Sequence, residues 1–253
     1  MTCSVCQGTG YLLGAGPDRG NPKCSACGST DRGAWIQTLA GRKVYPLDPR
    51  PEDVDVPEMA HALSHLCRYN GHVPHFYSVA QHSVHVSEAV EATCATCRGD
   101  GQVAGVVCGR CAGRGKDVRL QLVALLHDLP EAYLGDVIRP IKKGGGVTTR
   151  YEEAEQRWGL CIGKHLDIPG LGELLADLPE EVKIADDRVL LAEKRDLRAR
   201  GLTDESWSVR PYPPWGGTVE PWLSTDAYRQ FMERYEDLKE AAEALYGDHA
   251  DLP

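Results

Sequence analysis

The sequence predicts a mainly α-helical body that carries two small cysteine-knuckle elements. Three observations lead there. Apolar residues recur at helical spacing through much of residues 59–245, eight of the ten cysteines fall into Cys-x-x-Cys pairs, and the composition is that of a folded chain. Its 253 residues are 42% hydrophobic and 26% charged, with a mean hydropathy of -0.36, which supplies a core and argues against disorder. No apolar run approaches the ~18 residues that span a bilayer, and Met1-Thr-Cys-Ser-Val-Cys6 lacks the basic-then-apolar layout of a secretion signal, so the expected location is the cytoplasm, with no membrane partner. With 28 basic and 37 acidic residues the net charge is -9, which argues against wholesale coating of a phosphate backbone.

The pairs are Cys3/Cys6, Cys24/Cys27, Cys94/Cys97 and Cys108/Cys111; Cys67 and Cys161 stand apart. Each knuckle aims two thiolates at one point, and two knuckles complete the tetrahedral sulfur shell of a structural zinc. Four pairs therefore imply two zinc sites. Pairing neighbours gives a ribbon at 1–33 and a second at 93–116, inserted into a body of residues 34–253; an interleaved pairing, first knuckle with fourth and second with third, fits the spacing too. Thiol redox chemistry is the alternative use of such a motif, and four copies favour metal. The repeat resembles the Cys-x-x-Cys-x-Gly-x-Gly zinc region of J-domain co-chaperones. Segment 94–116 is locally basic through Arg98, Arg110, Arg114 and Lys116 but has no aromatic residue to stack a base, so a stabilising ribbon is expected over a nucleic-acid reader.

Pro46, Pro49, Pro51 and Pro57 mark an extended arm over 34–57. A helix then carries Met59, Ala62, Leu63 and Leu66 on one face and His61, His65 and Arg68 on the other, and Asn70-Gly71 stops it. From Val79 to Val90 a second helix places His82 on its apolar stripe and Gln81, His85 and Glu88 on a polar one, where His85 is expected in solvent. A nearly all-apolar helix from Val118 ends on His127-Asp128, two groups whose burial demands hydrogen bonds or a metal. Pro130 breaks the chain, and Gly144 to Gly146 give the next loop freedom. A helix over 151–165 follows, and then one in which Val182, Asp186 and Val189 share a face, turning Asp186 inward. After a Trp/Pro-rich stretch at 201–223, a last helix from Ser224 or Thr225 docks through Tyr228, Phe231, Tyr235 and Leu238.

Three helices thus offer His82, His127 with Asp128, and Asp186: two imidazoles and two carboxylates, a set suited to a divalent metal with positions left open. The order His … His-Asp … Asp resembles the HD-domain phosphohydrolases, in particular the bacterial 5'-deoxynucleotidases and the phage-type deoxynucleotide triphosphohydrolases that include dATP triphosphohydrolases. Supporting segments are Cys67-Arg-Tyr-Asn-Gly-His72, Phe76-Tyr-Ser-Val-Ala-Gln-His82 and Leu125-Leu-His-Asp-Leu-Pro-Glu131-Ala-Tyr-Leu-Gly-Asp136.

The resemblance implies a helical HD-domain bundle that hydrolyses phosphate from 2'-deoxynucleotides, as a monophosphate phosphatase or a triphosphohydrolase, in the host cytoplasm if a phage encodes it. It makes His82, His127, Asp128 and Asp186 ligands of Zn, Co, Mn or Mg, Glu131 and Asp136 the catalytic carboxyls, and Arg68, Tyr69 and Lys142 substrate contacts. The expected partner is a small deoxynucleotide, with a homo-oligomer left open. The alternative is a zinc-ribbon adaptor for nucleic acid or protein with a vestigial HD site.

Overall fold

A computed structural model describes residues 32–91, 94, 96–108, 111, 113–143, 148–197 and 210–246. The first ribbon, with Cys3, Cys6, Cys24 and Cys27, lies outside the described residues, as do 201–209. What is described is mainly helical, with two short antiparallel hairpins.

The arm at 34–57 is more structured than its prolines imply. Strands β1 (Ile36–Gln37) and β2 (Lys43–Val44) pair as a hairpin, and a 3-10 turn at Pro51–Asp53 leads into α1 (Val56–His65). The Trp158 indole donates to the Pro46 carbonyl at 2.9 Å, which ties the arm to the body. The N-cap carboxylate of Asp55 accepts from the Glu58 amide and so occupies an otherwise orphaned helix-start donor.

Helix α2 (Val79–Ala89) lies at the centre and packs on α1, α3 (Val118–Leu126), α8 (Glu180–Leu197) and α9 (Ser224–Tyr246). Ser78 caps α2 through the Gln81 amide, and Asp117 caps α3 through the amides of Arg119 and Leu120. Every residue of α2 except Glu88 is buried. That corrects the expectation for its second face: His85 and Gln81 are inside, because the segment 210–223 lies over them. Gln81 accepts from the Trp222 amide at 2.9 Å and donates to the Glu220 carbonyl at 2.7 Å, while the His85 ring meets Trp215 and Trp222 at 4.9 and 5.1 Å. Burial, its main perturbation, lowers the His85 pKa to about 4 and keeps the ring neutral.

Helix α3 is buried nearly all round, with Leu122, Leu125 and Leu126 in the main core beside Met59, Leu63, Phe231 and Leu238. After it come α4 (Glu131–Leu134), α5 (Arg139–Lys143), α6 (Thr148–Leu166) and α7 (Leu171–Ala176). Helices α6 and α7 approach backbone to backbone: a Cβ on Gly163 would lie 2.2 Å from the Gly172 nitrogen, and one on Gly159 would lie 2.8 Å from the Leu175 carbonyl carbon. Only glycine permits that crossing.

The insertion between α2 and α3 is a knuckle hairpin with strands β3 (Gln102–Val103) and β4 (Val106–Val107). Its ends meet at its base, where the Cys94 amide donates to the Gly115 carbonyl at 2.8 Å. The insertion can therefore stand off the body without parting the two helices. Arg114 pairs with Asp237 of α9, and Lys116 donates to the Glu88 carbonyl, seating it.

Candidate metal centre

Two clusters among the described residues have metal-ligand geometry. The first is Cys94, Cys97, Cys108 and Cys111, all buried thiols. Cys94 Sγ lies 3.9 Å from Cys108 Sγ, and Cys97 Sγ lies 3.6 Å from Cys111 Sγ. A tetrahedral zinc with bonds of ~2.3 Å spaces its sulfurs roughly 3.8 Å apart, so the set can hold a structural metal without rearrangement. Third and fourth knuckles therefore go together, which removes the interleaved pairing. Burial raises the Cys94 pKa, but the Cys97 and Thr96 amides and the neighbouring thiols bring it down to about 7, while burial and the neighbouring thiols push Cys111 up to about 11, so without a cation the thiols share charge unevenly.

The second cluster is built on the ends and faces of packed helices. His82 comes from the middle of α2, His127 and Asp128 from the end of α3, and Asp186 from α8. One ligand atom each from His82, His127 and Asp128 falls within 4.8 Å of the others. His82 Nε2 is 3.2 Å from Asp186 Oδ1 and 3.7 Å from Asp128 Oδ2, and His127 Nε2 is 3.2 Å from Asp128 Oδ1.

The imidazoles are oriented from behind. His127 Nδ1 donates to the Ala124 carbonyl at 2.7 Å, and His82 Nδ1 donates to Glu193 Oε1 at 2.6 Å. Both Nε2 atoms consequently face the carboxylates, the tautomer metal-binding histidines adopt. His82 Nε2 is buried and makes no aligned hydrogen bond despite its two acidic neighbours. A buried orphan nitrogen facing two carboxylates is the arrangement a cation resolves. Burial opposes ionisation of Asp128 and Asp186, yet both are held well below the usual carboxylate range, Asp128 chiefly by His127 and Asp186 chiefly by His82. Burial and Arg68 oppose a charge on His82, but Glu193 and Asp186 prevail and raise its pKa to about 9.

Glu193 is the residue that sequence reasoning missed. It is fully buried on α8 and accepts from His82, from Tyr77 at 2.9 Å and from the Tyr69 hydroxyl, with the Arg68 guanidinium 3.4 Å away. Burial raises its pKa, but Arg68 and His82 outweigh that and bring it to about 2. The apolar-face pattern Val182, Asp186, Val189 reaches residue 193 in one further step of four, and that was the available signal.

Arg68 is reached through local pairing. Its amide donates to the Tyr77 carbonyl, and Tyr69 and Asn70 follow in left-handed backbone at φ 58° and 52°. Such strain in non-glycine residues marks a position held by its surroundings. Arg68 Nη1 lies 3.6 Å from Asp128, so this half-buried cation adjoins the cluster.

Glu131 starts α4, since α3 does not continue through Pro130. It is buried, and burial with the charges of Asp128 and Asp136 holds its carboxyl well above the usual range. Its Oε1 accepts from Lys142 Nζ at 3.3 Å, and its buried Oε2 has no partner. Lys142 also reaches Glu155 at 3.1 Å. Asp136 is half-buried after α4, and Arg139 pairs with Asp186 at 2.9 Å and Asp187 at 3.1 Å. Of the residues expected at the HD-type site, the four ligands, Glu131, Asp136, Arg68, Tyr69 and Lys142 are thus in or beside one cluster, apart from the four cysteines of the insertion.

No family model matches the chain. It is 31% identical over 210 residues to the uncharacterized protein YfdR of Escherichia coli K12, which covers 82% of this chain and 97% of that one. The chain belongs to the YfdR family. An uncharacterized protein of Rhodobacter capsulatus is 33% identical over 155 residues, covering 60% of this chain and 67% of its own. No helix among the described residues is long and apolar enough to cross a membrane.

Proposed function

We propose that this YfdR-family protein is an HD-type, metal-dependent phosphohydrolase acting on 2'-deoxynucleotides. The observation that carries the reading is the meeting of His82, His127, Asp128 and Asp186 beside a half-buried arginine and a buried glutamic acid whose pKa is held above the usual range. The donor set fits a divalent ion through its inward Nε2 atoms and two ionised carboxylates. When bound, that ion supplies Lewis acidity to a phosphoryl oxygen and acidifies water.

The chain's own groups supply the rest. Arg68 brings a fixed positive charge to phosphoryl oxygens that otherwise repel a nucleophile. Glu131 holds a proton on Oε2, the oxygen Lys142 leaves unbonded, and delivers it to the departing ester or anhydride oxygen. Lys142, anchored by Glu155, brings a second cation to the same side. Asp136 reinforces the negative field that keeps Glu131 protonated. Tyr69, fixed by Glu193, packs beside the phosphate arginine, and its ring lies 5.4 Å from the Arg68 guanidinium carbon. The deoxynucleotide class rests on the resemblance of the motifs.

Phosphate release from a panel of deoxynucleoside mono- and triphosphates with Zn, Co, Mn and Mg tests the reading. Metal-dependent turnover of at least one substrate is expected. Silence across the panel refutes it and leaves the adaptor alternative.

A further inference from the structure

Resting on that reading, we infer that the cleft between α6 and the end of α7 is the subsite for the nucleoside end of the substrate, and that Glu152 and Gln156 there favour amino-bearing bases over thymine. The cleft is a cavity of about 290 Å³ that opens directly onto Asp128 and Asp186. That volume is at the low end of the roughly 300–1,000 Å³ of small-molecule sites, which suits one compact ring system.

Sequence spacing builds the wall. Residues 152, 156 and 159 recur in steps of four and three and share one face of α6, which turns toward the cleft. Opposite stand Leu175, Ala176 and Leu178, an apolar surface brought close because Gly159 has no side chain to hold α7 away. A planar group fits between such walls, beside the Lys142–Glu155 ion pair that also lines the cleft.

Charge sets which end of the substrate goes where. Arg68 is at the metal-ligand end, and Lys142, which also lines the cleft, is held between Glu131 and Glu155. The α6 wall carries the carboxylate of Glu152, which repels further phosphate and accepts hydrogen bonds from the exocyclic amino group of adenine, cytosine or guanine. Thymine has no exocyclic amino group, and its one ring N–H lies between two carbonyl oxygens that a carboxylate repels. Gln156 offers an amide that both donates and accepts, the pattern that pairs with an adenine edge. Both residues are exposed on the open side of the cleft, where an entering base passes them.

The test is calorimetric binding of the 5'-methylenephosphonate analogues of dAMP and dTMP, whose C–P bond resists hydrolysis, with methylphosphonate as the base-free control, to the metal-loaded full chain. The wild type is expected to bind the dAMP analogue at least ~10-fold tighter than the control and several-fold tighter than the dTMP analogue. Ala176→Phe, which plugs the cleft, should reduce the dAMP analogue to the level of methylphosphonate, with Leu178→Phe as a second plug should the first fail to fold. Glu152→Gln should narrow the gap between dAMP and dTMP analogues. Wild-type affinity for the dAMP analogue in a folded plug variant, or analogues no tighter than methylphosphonate, overturns the subsite. Plug-sensitive binding without phosphate release from any natural deoxynucleotide supports the subsite and overturns the hydrolase reading instead.

Discussion

The cysteine knuckle and the histidine/aspartate cluster are both buried metal-competent groups, but they differ in every respect that matters for chemistry. The knuckle has four cysteine sulfurs on one contiguous insertion, spaced as a closed tetrahedral shell requires. The other cluster gathers two imidazoles and the Asp128 carboxylate from two helices distant in sequence, with Asp186 of a third helix against His82, and it has an arginine, a glutamic acid of raised pKa and a cavity against it. A closed sulfur shell leaves a metal nothing to react with and serves to fix chain; a mixed shell with open positions leaves room for substrate. The sequence separation follows the same division. A local site folds as a unit, whereas a reactive one is assembled by the core.

Predictions that would break this contrast run from large effects to small. Asp128→Ala is expected to cut phosphate release by ~1,000-fold or more while metal analysis still finds the thiolate-bound ion; loss of both metals together would mean that the sites are one structural system. Glu193→Gln should weaken metal affinity at the histidine centre about 10–100-fold, measured by competition with a chelating dye, because the acceptor that orients His82 loses its charge. Cys94→Ser should remove the ribbon metal and lower the melting temperature by several degrees, with the histidine centre still able to load.

Acidity gives a smaller and sharper distinction. The folded-state pKa of Glu193 is depressed from 4.5 to about 2, so its stabilisation is present above about pH 4.5 and is lost as pH falls toward 2. His82 is raised from 6.5 to about 9, so in metal-free protein its contribution is full below about pH 6.5 and is lost as pH rises through 9. Thermal melts of metal-free protein should peak between those limits. Metal uptake near pH 7.5 must displace the His82 proton, so calorimetry in buffers of different ionisation enthalpy should show proton release on loading this centre.

Much of the centre was legible because its ligands obey helix periodicity. His82 on an apolar stripe and His127-Asp128 at the end of an apolar helix announce polar groups turned inward; for Asp186 the family resemblance decided more than spacing did, and its neighbour Asp187 is the more buried of the two. Cys94 to Cys111 were legible from spacing alone. Glu193 escaped because a carboxylate that opens a charged run, Glu193-Lys-Arg-Asp196, reads as a solvated helix face until its tyrosine, histidine and arginine partners are seen. His85 was misplaced for a related reason. The segment that buries it is some 130 residues away and has no periodicity to reveal which face it covers, so only tertiary structure shows Trp215 and Trp222 on that ring. The hairpin within the arm at 34–57 was hidden by its brevity, two residues per strand.

The most direct measurement of the central claim is an anomalous difference map from a crystal of the full chain grown with Mn²⁺. The account predicts a peak bonded to His82, His127, Asp128 and Asp186, separate from any ion on the cysteine sulfurs. A map whose peaks lie only on thiolates, with His82 Nε2 bonded to protein alone, would contradict it.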